Sequence, residues 1–129
     1  MIVVDSSVWI ANLRNTENLS VRKLAEVQNP SNIIVGDIVL LEVLQGARSD
    51  SHAESILSWL QRYRICDMSD KYIAIKAAAN FRHLRNKGIT IRKTMDLIIG
   101  TFCIENNHQL LHDDRDFAPM EEHLGLQIY

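Results

Sequence analysis

The chain is predicted to fold as an α/β protein with a mostly parallel sheet covered by helices on both faces, and three observations carry that expectation. The apolar runs Ile2-Val3-Val4, Ile33-Ile34-Val35 and Leu110-Leu111 are continuous, as they are in strands buried on both sides. Helical spacings of apolar residues separate them, the alternation expected of parallel strands joined by crossover helices. The length of 129 residues, 47% hydrophobic and 23% charged, is that of one globular domain with a real core. No repeat, low-complexity segment or long linker interrupts it, so a single domain from residue 1 to 129 is expected.

After the strand at 2–4, Ser6 or Ser7 is placed to cap a helix running to about Arg14, which Asn15-Thr16-Glu17-Asn18 breaks. A second helix over 19–28, with Leu19, Leu24 and Val27 on one side, stops before Asn29-Pro30. The β-branched run at 33–35 is the second strand, and Gly36-Asp37 turns into a helix at 38–47 with Asp37 as its cap. A helix at 51–61 and a short strand at 63–66 follow. The helix at 69–86 carries Ile73, Ala77, Phe81 and Leu84 on one face and ends at Lys87-Gly88. A helix at 94–106 and strands at 110–111 and 126–128 complete the chain.

The formal net charge of −2 is nearly neutral, but its distribution is uneven. Lys71, Lys76, Arg82, Arg85, Lys87, Arg92 and Lys93 hold seven of the 14 basic residues, with no acid between 71 and 95. That stretch suits phosphate contact, or equally a solvated helix face. Cys66 and Cys103 lack a C-x-x-C spacing and are expected to be buried free thiols in a reducing compartment, which excludes a zinc site. Without a basic leader or an apolar stretch near the ~18 residues that span a bilayer, a cytoplasmic protein with no membrane association is expected.

Five carboxylates, Asp5, Glu42, Asp96, Asp114 and Asp116, sit where a strand ends or a helix turns toward one crevice. In an open α/β sheet, ligands collect at the carboxyl ends of the strands. Each acid has a bland explanation by itself. Asp5 suits a helix cap, Glu42 a structural ion pair, Asp96 the positive end of a helix dipole, and Asp113-Asp114-Arg115-Asp116 a turn with a local ion pair. Together they repel one another unless a cation intervenes, and hard oxygen ligands without thiolates favour Mg²⁺ or Mn²⁺.

Four segments, in order and at the right spacing, resemble PIN-domain endoribonucleases, specifically the VapC-type toxins of bacterial type II toxin–antitoxin pairs. They are Ile2-Val3-Val4-Asp5-Ser6-Ser7-Val8-Trp9-Ile10, Leu41-Glu42-Val43-Leu44-Gln45-Gly46, Thr94-Met95-Asp96-Leu97-Ile98-Ile99-Gly100-Thr101 and Leu110-Leu111-His112-Asp113-Asp114-Arg115-Asp116-Phe117. The resemblance implies a three-layer α/β/α sandwich and a metal-dependent ribonuclease. Carried residue by residue, it places the acidic site on Asp5, Glu42, Asp96 and Asp114, with Asp116 as an additional acid. Asp5, Asp96 and Asp114 would bind a first metal, while Glu42 would hold a second ion or orient water. Ser6 or Ser7 supplies a hydroxyl near the first acid. His112 stands where relatives often have Thr, giving it a supporting place beside the loop. Arg82, Arg85, Arg92 and Lys93 are the candidates for RNA phosphates. A VapB-type antitoxin and a homodimer are the implied partners.

Two other classes share parts of this pattern. A receiver-like, Mg²⁺-binding signalling domain would need a phosphoacceptor after a middle strand, for which Asp67 is the candidate, and a lysine after a late strand, yet none follows Lys93. A catalytically silent binding module would carry the acids as an electrostatic surface, and metal-dependent cleavage separates it from a nuclease.

Overall fold

A computed structural model describes residues 1–129. The strands β1 (Ile2–Val4), β2 (Ile33–Gly36), β3 (Arg64–Cys66), β4 (Gln109–Leu111) and β5 (Gln127–Ile128) form one sheet in the order β3-β2-β1-β4-β5, with every pairing parallel. The helices are α1 (Ser6–Leu13), α2 (Leu19–Glu26), α3 (Asp37–Gln45), α4 (Asp50–Leu60), α5 (Lys71–Asn86), α6 (Thr94–Glu105) and α7 (Ala118–Leu124). The chain steps from β1 outward to β3, then reverses to β4 and β5 on the other side of β1. Right-handed crossovers therefore put α1 to α4 on one face and α5 to α7 on the other. The packing agrees, since α1 meets α2 and α3, α3 meets α4, and α5 meets α6 and α7. The expected three-layer sandwich is the one observed.

Reversal beside β1 opens a crevice at the carboxyl ends of β1 and β4, the place where sheets of this kind bind ligands. Beneath it lies the core. Val3, Val4, Val35, Ile99 and Leu110 are fully buried, as strands shielded on both faces should be. Trp9 fastens α1 to this floor: its Nε1–H donates to the Val4 carbonyl at 3.1 Å, and its ring meets Trp59 edge-on at 5.4 Å and Tyr63 at 5.1 Å. No helix is long and apolar enough to cross a membrane.

Several local expectations change. Asp5, not Ser6 or Ser7, caps α1, because its carboxylate accepts the Ser7 N–H at 3.0 Å. Asp37 is the first residue of α3, and Gly36 holds the cap position without a side-chain bond. The Asp37 carboxylate accepts instead from Ile38 N–H and, across the fold, from Met68 N–H at 2.9 Å. Helix α2 ends at Glu26, two residues early. Helix α7 is an element that sequence reading omitted, although Pro119 in its first turn and Gly125 at a left-handed φ of 77° are ordinary start and stop signals. Cys103 is fully buried, with its thiol pushed up to about 12 by burial. Cys66 is only half-buried, because β3 is an edge strand whose Arg64 and Ile65 are exposed.

Gly36 closes β2 against a methionine from the loop after β3. A Cβ at this position would run into Sδ, Cγ and Cε of Met68, itself 1% exposed. Gly36→Ala is therefore expected to lower unfolding free energy by about 1–3 kcal/mol through overpacking, measured by urea denaturation. An unchanged midpoint would mean that Met68 repacks freely.

Candidate active site

Each face of the sandwich delivers acids to the crevice. Asp5 comes directly off β1, and its backbone N–H donates to the Leu111 carbonyl at 2.9 Å, which continues the β1–β4 ladder to the rim. From one layer α3 brings Glu42, and from the other α6 brings Asp96 in its first turn; the two helices touch over the strand ends. Asp114 and Asp116 arrive on the loop after β4, where a single 3-10 turn spans Arg115–Phe117.

The two halves of Asp5 have different surroundings. Oδ2 accepts from Ser7 N–H and from the Ser7 hydroxyl at 2.6 Å, whereas Oδ1 is buried without a hydrogen-bond partner. Asp96 Oδ2 and Glu42 Oε1 share that condition. Asp5 and Asp96 are only 3% and 4% exposed. Buried polar atoms are ordinarily satisfied, and an uncompensated carboxylate is among the costliest groups to enclose. Three such oxygens, one from each of three elements, suit a hard divalent cation. Asp96, Asp114 and Asp116 also offer one oxygen each within 4.8 Å of one another.

Electrostatics report the same crowding. Burial, followed by the Asp5 charge, raises the Asp96 carboxyl to about 7. Burial and Asp5 also raise Glu42, which the Ser6 hydroxyl and Lys93 partly offset. Burial pulls Asp114 upward too, but the Asp116 N–H at 2.9 Å and the Lys93 ammonium carry it below the usual range. Lys93 Nζ lies 3.1 Å from Asp114 Oδ2 and 3.7 Å from Asp116 Oδ2, so it sits within the acidic site.

Supporting groups hold the acids in place. The Ser7 hydroxyl donates to Asp5 and accepts the Asp113 N–H at 3.1 Å, tying the β1 end to the β4 loop. His112 Nδ1 accepts the Asp114 N–H at 3.1 Å, and its ring packs 4.9 Å from Phe117. Of the two serines, Ser7 is thus bonded to Asp5 while Ser6 faces Glu42. Arg82, Arg85 and Arg92 are exposed and ion-pair with no acid. Arg92 and Arg115 line a cleft of ≈290 Å³ that Asp116 and Pro119 share. Sequence reading missed Arg115 as a cation facing this cleft and missed the pairing of Lys93. Neither was available in the spacing, because both depend on how the β4 loop meets the start of α6. Asp67, the acid a receiver-like domain would require, is exposed beyond the edge strand β3.

A carboxyl raised in the folded state binds its proton more tightly there than in the unfolded chain, so stability falls as pH rises through the interval between the two values. For Asp96 that interval runs from 3.8 to about 7, and Glu42 acts in the same direction. His108, lowered by burial and the N-terminal ammonium, opposes them. Metal-free protein is therefore expected to melt higher at pH 5 than at pH 8, with a smaller difference in Asp96→Asn. Thermal melts of both proteins in chelator check this, and an equal pH dependence would contradict the assigned shift.

Residues 2–122 match the profile of the PIN domain family. Ribonuclease VapC11 of Mycobacterium tuberculosis is 25% identical over 130 residues, covering 98% of this chain and 96% of that one. The fold is similar to VapBC2 from Rickettsia felis, solved bound to a DNA fragment from its promoter, with a TM-score of 0.78 and 21% identity, covering 100% of this chain and 98% of the other. It is also similar to a toxin–antitoxin complex from Klebsiella pneumoniae, with a TM-score of 0.72 and 19% identity over 92% and 91% of the two chains. A profile match over nearly the full length, on a parallel sheet whose strand ends gather these acids, establishes that the chain belongs to the PIN domain family.

Proposed function

We propose that this chain is a metal-dependent endoribonuclease, the toxin of a toxin–antitoxin pair, hydrolysing phosphodiester bonds in single-stranded or structured RNA. The observation that carries this reading is the set of buried, unpartnered oxygens on Asp5, Glu42 and Asp96. A relative named as a ribonuclease, alike along 98% of this chain, supports the same chemistry. When bound there, Mg²⁺ or Mn²⁺ would acidify a water, offset charge gathering on the phosphate and ease departure of the leaving oxygen.

The protein's share is placement. Asp5 and Asp96 would hold the ion, with Asp114 and Asp116 at the outer rim. Glu42, kept more basic than an ordinary carboxylate by burial and by Asp5, takes a proton from the attacking water. Ser7 fixes Asp5, and His112 fixes the loop that carries Asp114. With water as the nucleophile and the 3′ oxygen as the leaving group, the products carry 5′-phosphate and 3′-hydroxyl ends. Unstacked loops offer the accessible phosphates, while Arg82, Arg85 and Arg92 meet flanking ones. A VapB-type antitoxin and a second copy of the chain are the partners, and the likeness of the fold to a toxin–antitoxin complex supports the first.

The test is to map RNA ends after brief expression of the wild type beside Asp5→Asn. New 5′-phosphate ends should appear only with the wild type, and equal cleavage by Asp5→Asn would sink the assignment. In purified protein, Asp5→Asn, Asp96→Asn and Glu42→Gln are each expected to lose more than about 100-fold in cleavage rate, beyond the cost of disturbing a supporting group. Their melting temperatures should hold or rise, because each substitution removes repulsion. Arg85→Ala combined with Arg92→Ala is expected to lower the log–log salt slope of RNA binding by about 0.7 per lost phosphate contact; an unchanged slope would move the RNA path elsewhere.

A further inference from the structure

The five acids divide into two groups. Asp5 Oδ1, Glu42 Oε1 and Asp96 Oδ2 are buried and lack any partner, so the inner group is short of positive charge. The outer group is not. Lys93 Nζ bridges Asp114 Oδ2 and Asp116 Oδ2 at 3.1 and 3.7 Å, and the remaining Asp114 oxygen accepts the Asp116 N–H.

Lys93 reaches that position by its place in the chain. It is the extended residue immediately before α6, with φ −110°, and its side chain lies over the first helical turn, where the Asp96 charge also acts on it. Asp96, Asp114 and Asp116 make up the trio whose oxygens lie within 4.8 Å of one another and could hold an ion, so Asp96 belongs to both groups. The ammonium is already at ion-pairing distance from two of its three members. Its side chain is 56% exposed, so it remains open to a substrate phosphate.

Phosphodiester hydrolysis by two metals relies on paired cations about 3.5–4 Å apart, one beside the attacking oxygen and one beside the leaving oxygen. A lysine ammonium is a compact charge with three donors, able to satisfy two carboxylates and still face a phosphate oxygen. We propose that Lys93 takes the place of the second metal: the site binds a single divalent cation in the inner group, while the Lys93 ammonium neutralises Asp114 and Asp116 and meets the phosphate from the outer side. This rests on the reading of the site as a metal-dependent nuclease and assigns its ion count.

The test is Mn²⁺ titration of wild type, Lys93→Met and Lys93→Met/Asp116→Asn, followed by calorimetry and by electron paramagnetic resonance. Lys93 is exposed, so Lys93→Met is expected to fold, and circular dichroism checks this. One Mn²⁺ per wild-type chain is expected. Lys93→Met should bind two, with the exchange-coupled spectrum of ions roughly 4 Å apart, and adding Asp116→Asn should return the count to one. Two ions in the wild type, one in Lys93→Met, or two in the double variant would overturn the role of Lys93 and leave the nuclease reading standing. No Mn²⁺ on any of the three would overturn that reading, and this inference with it.

Discussion

Everything at the carboxyl edge of this sheet depends on enclosing like charge. Asp5 and Asp96 are buried almost completely, Glu42 is half-buried beside them, and each carries an oxygen that no donor reaches. Repulsion among three such groups destabilises the fold unless protons or a cation relieve it. The rise of Asp96 to about 7 shows one form of relief. A divalent ion would be the other, its charge offsetting the repulsion among the three.

The fold tolerates this because its rigid parts surround the site. Parallel strands pack Val3, Val4 and Leu110 beneath it, Trp9 ties α1 to the last carbonyl of β1, and Asp37 joins the start of α3 to the loop after β3. Ser7 links the end of β1 to the β4 loop through Asp5 and Asp113. Supporting bonds of this kind set the orientation of metal-binding carboxylates. Arg92, Lys93 and Arg115 add the opposite charge at the rim, without which RNA would meet a negative surface.

The sheet was legible because a strand buried on both faces must be apolar without interruption, and Ile2-Val3-Val4 and Ile33-Ile34-Val35 meet that demand plainly. Asp5 and Asp96 were legible for a related reason, since acids at the ends of apolar elements need a purpose. What escaped was set by tertiary geometry. Lys93 was read as a contact for RNA phosphate, and only the approach of the β4 loop to the start of α6 turns it toward Asp114. Helix α7 was hidden by its brevity, with the Pro119 and Gly125 signals too close together for a periodic pattern between them. Cys66 was misplaced because strand order, which local pattern does not encode, makes β3 an edge. Its apolar neighbour Ile65 is exposed for the same reason.

The proposal that these orphaned oxygens hold a metal is tested by anomalous diffraction from a crystal equilibrated with Mn²⁺. A peak is expected about 2.1 Å from Asp5 Oδ1 and Asp96 Oδ2, the distance of a small hard cation from its oxygen ligands. A crystal without a peak there, or with Mn²⁺ bound only to exposed acids such as Asp67 and Asp70 beyond the edge strand, would contradict it.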